Sequence, residues 1–223
     1  MRRKLHDNSL SLMALGVFLV LVFLQSITGW RVSNADDAEH HRPTQSYGRY
    51  LRSGHFAEAT FENWESEFLQ MGAYVGLTAL LIQRGSPESK KPDGDPSDAD
   101  PREAADDPNA PWPVRRGGLA LKLYEHSLSS ALLLLFLLSF VGHLLGGHAE
   151  QVTHERQQIA HGEAPVSLWS FLTSAQLWFQ SFQNWQSEFL AVFTLAVLGI
   201  FLRERGSPES KPVAASHAET GSG

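Results

Sequence analysis

The apolar residues of this chain are gathered into four blocks, each long enough or nearly long enough to cross a lipid bilayer. A helical span of a hydrocarbon core of roughly 30 Å needs about 20 residues. The blocks run over about 10–30, 64–82, 128–145 and 185–202. No charge falls between Ser9 and Trp30, and the third block contains the run Ala131 to Leu138. The second and fourth blocks open on glutamates, Glu65 and Glu67 in one and Glu188 in the other. The mean hydropathy of −0.19 hides this segregation, because it averages the blocks with polar loops. Arg2, Arg3 and Lys4 before the first block also fit a signal peptide, but the apolar run exceeds the usual length of such a region. Four retained spans are therefore expected.

Basic residues orient such a chain, since cytoplasmic loops carry the excess of Lys and Arg. A cytoplasmic N-terminus puts Arg2, Arg3, Lys4, Arg84, Lys90, Lys91, Arg102, Arg115, Arg116, Lys122, Arg203, Arg205 and Lys211 inside. It leaves Arg31, Arg42, Arg49, Arg52 and Arg156 outside. Both termini are expected in the cytoplasm.

The halves of the chain are copies of one unit. Lys4-Leu5-His6-Asp7-Asn8-Ser9-Leu10-Ser11 returns as Lys122-Leu123-Tyr124-Glu125-His126-Ser127-Leu128-Ser129. Phe61-Glu62-Asn63-Trp64-Glu65-Ser66-Glu67-Phe68-Leu69 returns as Phe182-Gln183-Asn184-Trp185-Gln186-Ser187-Glu188-Phe189-Leu190. Arg84-Gly85-Ser86-Pro87-Glu88-Ser89-Lys90 returns unchanged as Arg205-Gly206-Ser207-Pro208-Glu209-Ser210-Lys211. Each unit enters the membrane and comes back, so parallel repeats about an axis along the membrane normal are expected. The fold class that follows is an all-α membrane protein, two tandem helical hairpins in a pseudo-twofold four-helix bundle. The first repeat covers 1–90 and the second 119–212. A linker at 91–118, dense in Asp, Glu and Pro, and the tail 213–223 have the composition of disordered chain. A homo-oligomer would extend the same symmetry.

Asn63 and Asn184 have the residue type of helix N-caps. Trp64 and Trp185 suit the headgroup layer as interface anchors. Glu67 and Glu188 are the one glutamate position of this element kept in both copies, while Glu62 and Glu65 become Gln183 and Gln186. Two readings stand for that pair: a helix start matched to its dipole, or symmetry-related carboxylates that bind a proton or cation. For the Arg-Gly-Ser-Pro-Glu-Ser-Lys elements, Arg84 and Arg205 can snorkel to the interface, and Gly85 and Gly206 can end a helix. A surface for a cytoplasmic protein partner or anionic lipid headgroups would also account for the repeated identity.

Two outer segments, around Tyr47–Phe61 and Leu168–Phe182, read as short amphipathic helices. Gly142-x-x-x-Gly146 and Gly72-x-x-x-Gly76 allow close helix approach. His40, His41, His55, His143, His148, His154 and His161 fall toward the outer side and read mainly as solvated loop residues. A net charge of −6 argues against a nucleic-acid partner. The absence of cysteine excludes thiolate chemistry, and no cofactor, metal or catalytic motif is present, so a non-enzymatic protein is expected. At Phe182–Leu190 and Arg205–Lys211 the chain resembles a family of bacterial multi-pass membrane proteins defined as a domain of unknown function. The resemblance implies a bacterial inner membrane and assigns no activity.

Overall fold

The computed structural model describes residues 6–155 and 165–221, and every regular element among them is helical. Arg2, Arg3, Lys4, Leu5, Arg156 and His161 lie outside the described residues. In chain order the helices are α1 (Ser9–Glu39), α2 (Tyr47–Tyr50), α3 (Gly54–Leu80), α4 (Trp112–Arg116), α5 (Gly118–Glu125), α6 (Ser127–His154), α7 (Leu168–Leu172) and α8 (Ala175–Phe201). Three of them, α1, α6 and α8, are long and apolar enough to cross a membrane. Their outer surfaces are apolar: Leu10, Leu133, Leu134, Leu138, Phe193 and Phe201 are all exposed. Apolar surface turned outward along whole helices is the pattern of a chain solvated by lipid. The second expected span falls on α3, which has the length but carries Glu62, Glu65, Glu67 and Gln70, and it is not among the three.

The chain divides into two compact units, Met1–Phe61 with Val141–Leu177, and Glu62–Phe140 with Trp178–Gly223. In the first unit, the start of α3 crosses α6 at glycines. A Cβ on Gly146 would stand 2.5 Å from the Glu58 nitrogen, and one on Gly54 would stand 2.5 Å from the Glu150 nitrogen. One on Gly142 would meet the Phe61 ring. The absence of side chains at these positions is what lets the two backbones touch. Gly72 and Gly76 behave differently: the first makes ordinary contact with Leu132 and the second faces open space.

The helix starts differ from those expected. Ser53 and Ser174, not Asn63 and Asn184, cap α3 and α8. The Ser53 hydroxyl accepts the Phe56 N–H at 3.2 Å, and the Ser174 hydroxyl accepts the Leu177 N–H at 3.3 Å. Asn63 and Asn184 lie well inside their helices, because the apolar spacing of Phe56 to Phe61 and Leu177 to Phe182 carries the helix outward. What was expected as separate amphipathic segments is thus largely the first turns of α3 and α8. The remainder forms α2 and α7, which bury equivalent aromatics, Tyr50 and Phe171.

Several of the histidines expected in solvated loops are held by partners. His143 is fully buried, and His148 meets the Val166 carbonyl at 2.8 Å. His154 stands between Arg42 (3.0 Å) and Glu150 (3.2 Å). The loop after α1 is tied back by Trp30, whose indole donates to the Gln45 carbonyl at 2.7 Å, and by two hydrogen bonds between Asn34 and Gln45. Between the repeats the chain forms 3-10 turns at Pro96–Asp98 and Pro101–Ala104. Each is opened by an aspartate, Asp95 or Asp100, whose carboxylate accepts a backbone N–H.

The two kinds of glycine predict opposite outcomes. Gly146→Ala forces a Cβ into the α3 backbone and should lower stability by about 1–3 kcal/mol. Gly76→Ala should raise stability by up to about 1 kcal/mol, the helix-propensity gain of alanine over glycine. Thermal unfolding of the detergent-solubilised chain measures both.

Candidate functional site

The repeated elements around Asn63 and Asn184 meet in the second unit. Glu65 is 0% exposed, and its carboxylate accepts the indole N–H of Trp185 at 2.9 Å. One helical turn away, Asn184 donates to Glu62 at 2.6 Å, and Gln70 donates to the Glu188 carbonyl at 3.2 Å. The Asn-Trp pair of the second copy is therefore read by the two glutamates that differ between copies. Trp185 is not the wet headgroup anchor expected. Its N–H is paired with a buried carboxylate, and its ring packs among Phe136, Trp178 and Phe182 with centroids 5.5–6.3 Å apart. An indole with an apolar body and one donor fits a site that is apolar on one side and supplies one acceptor on the other. Glu67 and Glu188, expected as a pair, lie on α3 and α8, where Gln70, one turn on from Glu67, reaches the Glu188 carbonyl. Glu67 is exposed and Glu188 half-buried. Among the described residues no group of three or more His, Asp or Glu is placed to hold a metal ion.

The second set of shared residues forms two loops of the same build. Gly85 and Gly206 have φ of 84° and 87°, a left-handed backbone that favours glycine. The Ser89 hydroxyl accepts the Gln83 N–H at 2.9 Å, and the Ser210 hydroxyl accepts the Glu204 N–H at 2.9 Å. Ser86 and Ser207 likewise accept the N–H of Glu88 and Glu209, both at 3.2 Å. Glycine and the two serines are thus required by the loop itself. Arg84 and Arg205 are exposed, and the helix end is instead closed by Arg203, whose guanidinium donates to the Gly199, Ile200 and Leu202 carbonyls.

The loops differ in what covers them. Gly85, Ser86, Pro87 and Ser89 are buried, while Gly206, Pro208 and Glu209 are exposed. The cover over the first loop is the chain's own tail. The Gly85 N–H donates to the Thr220 hydroxyl at 2.9 Å, and the Gly221 N–H donates to the Ser86 carbonyl at 3.0 Å. Lys211 shapes that tail. Its buried ammonium donates to the Ser216, His217 and Glu219 carbonyls at 3.1–3.2 Å, one acceptor for each of its three protons. Burial, with the charge of Arg203, holds its pKa below the ordinary lysine value, and Glu219 opposes them.

The Tyr74 hydroxyl donates to Glu88 at 3.0 Å, and Glu209, the equivalent residue of the second loop, acts on Glu88 through its charge. Burial pushes the Glu88 carboxyl above the ordinary carboxylate range; the Tyr74 hydrogen bond opposes the rise and Glu209 adds to it. The Glu62–Asn184 and Glu65–Trp185 contacts and the tail contacts were not anticipated from the chain. The only signal for the first was the Glu-to-Gln divergence itself.

Fold and site together define an all-helical protein with three helices long and apolar enough to cross a membrane, a pattern that points to a membrane location. The chain belongs to the family described as Domain of unknown function (DUF6766), whose model matches residues 1–222. No curated protein and no solved structure matches it.

A pKa raised in the folded state means that the folded chain binds the Glu88 proton more readily than the unfolded chain does. This contribution to stability is full below the ordinary carboxyl pKa and is lost as pH rises through the raised value. Glu209→Gln removes the neighbouring charge and should lessen the loss above that window, by under about 1 kcal/mol after solvent screening. Unfolding midpoints measured from pH 4 to pH 8 check the sign.

Proposed function

We propose that the protein is a multi-pass protein of the bacterial inner membrane, built of two duplicated hairpins with pseudo-twofold symmetry, both termini cytoplasmic. We read its role as non-enzymatic, structural or interaction-based. As the fourth span, α3 is long enough: 27 residues at 1.5 Å each reach about 40 Å. Its glutamates at 62 and 65 meet donors on α8 and need not face lipid. The paired caps at Ser53 and Ser174 and the two loops of like build support the duplication.

One observation carries the interaction reading. Of two loops with the same backbone, the first is covered by the tail and the second is exposed. The loop at 205–211 is thus the surface that a cytoplasmic partner would meet, and Lys and Arg near it would also suit anionic headgroups. A photo-crosslinking residue in place of Glu209 should form protein adducts in intact cells, and one in place of Glu88 should not. Adducts from 88 alone, or labelling of a cysteine at 209 from outside the cell, would overturn the assignment.

A second reading is favoured by the meeting of α3 and α8 at this level, where Gln70 donates to the Glu188 carbonyl: a small transporter or channel in which Glu67 and Glu188 bind a proton or cation. In proteoliposomes it requires a flux that Glu67→Gln and Glu188→Gln each reduce at least tenfold. Absence of flux removes it.

A further inference from the structure

The first loop shows what a loop of this kind takes as a ligand. Its glycine N–H points to a hydroxyl oxygen, Thr220 Oγ1, and its following carbonyl, that of Ser86, accepts the next backbone N–H, that of Gly221. The result is a two-point clasp, one donor and one acceptor from adjacent peptide units, reading a hydroxyl residue and the glycine after it. The approach is close. A Cβ on Gly85 would stand 2.6 Å from the His217 carbonyl oxygen, and one on Gly221 would stand 3.2 Å from the Lys91 side chain. Bare glycine on both sides lets the strands meet.

The second loop repeats the donor half of this clasp, while its Ser207 carbonyl already accepts the Ser210 N–H at 3.4 Å. Gly206 has the same left-handed φ, and the Ser207 and Ser210 hydroxyls hold the turn through the same bonds as Ser86 and Ser89. Gly206 is exposed, with no atom within 4 Å of where a Cβ would stand, and among the described residues none takes its N–H.

We propose that the loop at 205–211 is a docking site for an extended segment of a partner protein in which a threonine or serine is followed by glycine. The inference rests on reading this loop as the interaction surface and adds the chemistry of what it binds. The Gly206 N–H donates to the partner's hydroxyl, and the Ser207 carbonyl, already bonded to the Ser210 N–H, accepts the N–H of the partner's glycine on its second lone pair. The tail, His217 to Gly221, is the same ligand bound in cis to the other copy. Lys211, which shapes that tail through three carbonyls, joins the exposed loop directly to the segment that covers the buried one.

The test uses the full chain in detergent with 15N-labelled glycine and a peptide of residues 215–221, Ala-Ser-His-Ala-Glu-Thr-Gly. The Gly206 amide resonance should shift and saturate, while that of Gly85, already engaged by Thr220, should stay in place. In the Thr220→Val chain, which frees the first loop, both amides should shift and the stoichiometry should rise from one peptide to two. A peptide with Val in place of Thr should bind roughly fivefold to tenfold more weakly, the effect of one hydrogen bond. The proposal is overturned if Gly206 stays unmoved at peptide concentrations that shift Gly85 in the Thr220→Val chain. Equal binding of the Val peptide overturns it as well. If either happens while cross-linking from position 209 persists, the ligand chemistry is wrong and the interaction surface stands; if the cross-link is also missing, both fall.

Discussion

A polar group taken out of water must find a partner; short hydroxyls such as Ser66 reach their own helix backbone, while a buried carboxylate needs a donor from elsewhere. Glu65, fully buried on α3, finds it in the indole N–H of Trp185 on α8. Much else in the second unit depends on that pairing. It brings Glu62 to Asn184 and Gln70 to the Glu188 carbonyl, and it seats the Trp185 ring against Phe136, Trp178 and Phe182. It also explains why α3 is less apolar than α1, α6 and α8: its polar residues are spent on α8. Low hydropathy in this helix reflects helix pairing.

The sequence holds two copies of each motif, and the copies differ in what they contact. In the helices, Glu62 and Glu65 act as acceptors while their counterparts are Gln183 and Gln186. The loops at 84–90 and 205–211 have the same residues, because Gly85 and Gly206 need a left-handed backbone and the serines close the turn in both. What changed is their surroundings, one under the tail and one exposed. Sequence identity in these loops is a requirement of the turn, and the two copies differ in exposure.

The long helices were legible as apolar runs, and the repeat was legible as matched motifs in register. Helix starts were not. Asn63 and Asn184 have the residue type of a cap, but the helix continues outward through Phe56 and Phe61, and through Leu177 and Phe182, to the serines at 53 and 174. Cap choice depends on where the outward apolar face ends, and four or five alternating residues are too few to show it. The indole of Trp185 was misjudged for a related reason: a tryptophan at the edge of an apolar block looks the same whether its N–H meets water or a carboxylate on another helix. The tail contacts were out of reach, since they are made by the backbone of Gly85, Ser86 and Gly221, which no side-chain pattern encodes.

The account stands on the coupling of the two repeats through Glu65 and Trp185. A double-mutant cycle of Glu65→Leu and Trp185→Phe, read by thermal unfolding in detergent, tests it directly. Each single change should destabilise the chain, and the pair should cost less than their sum by about 1–3 kcal/mol, the coupling of a buried hydrogen bond to a carboxylate. Additivity within about 0.5 kcal/mol would contradict it and would mean that the two helices are held together by something else.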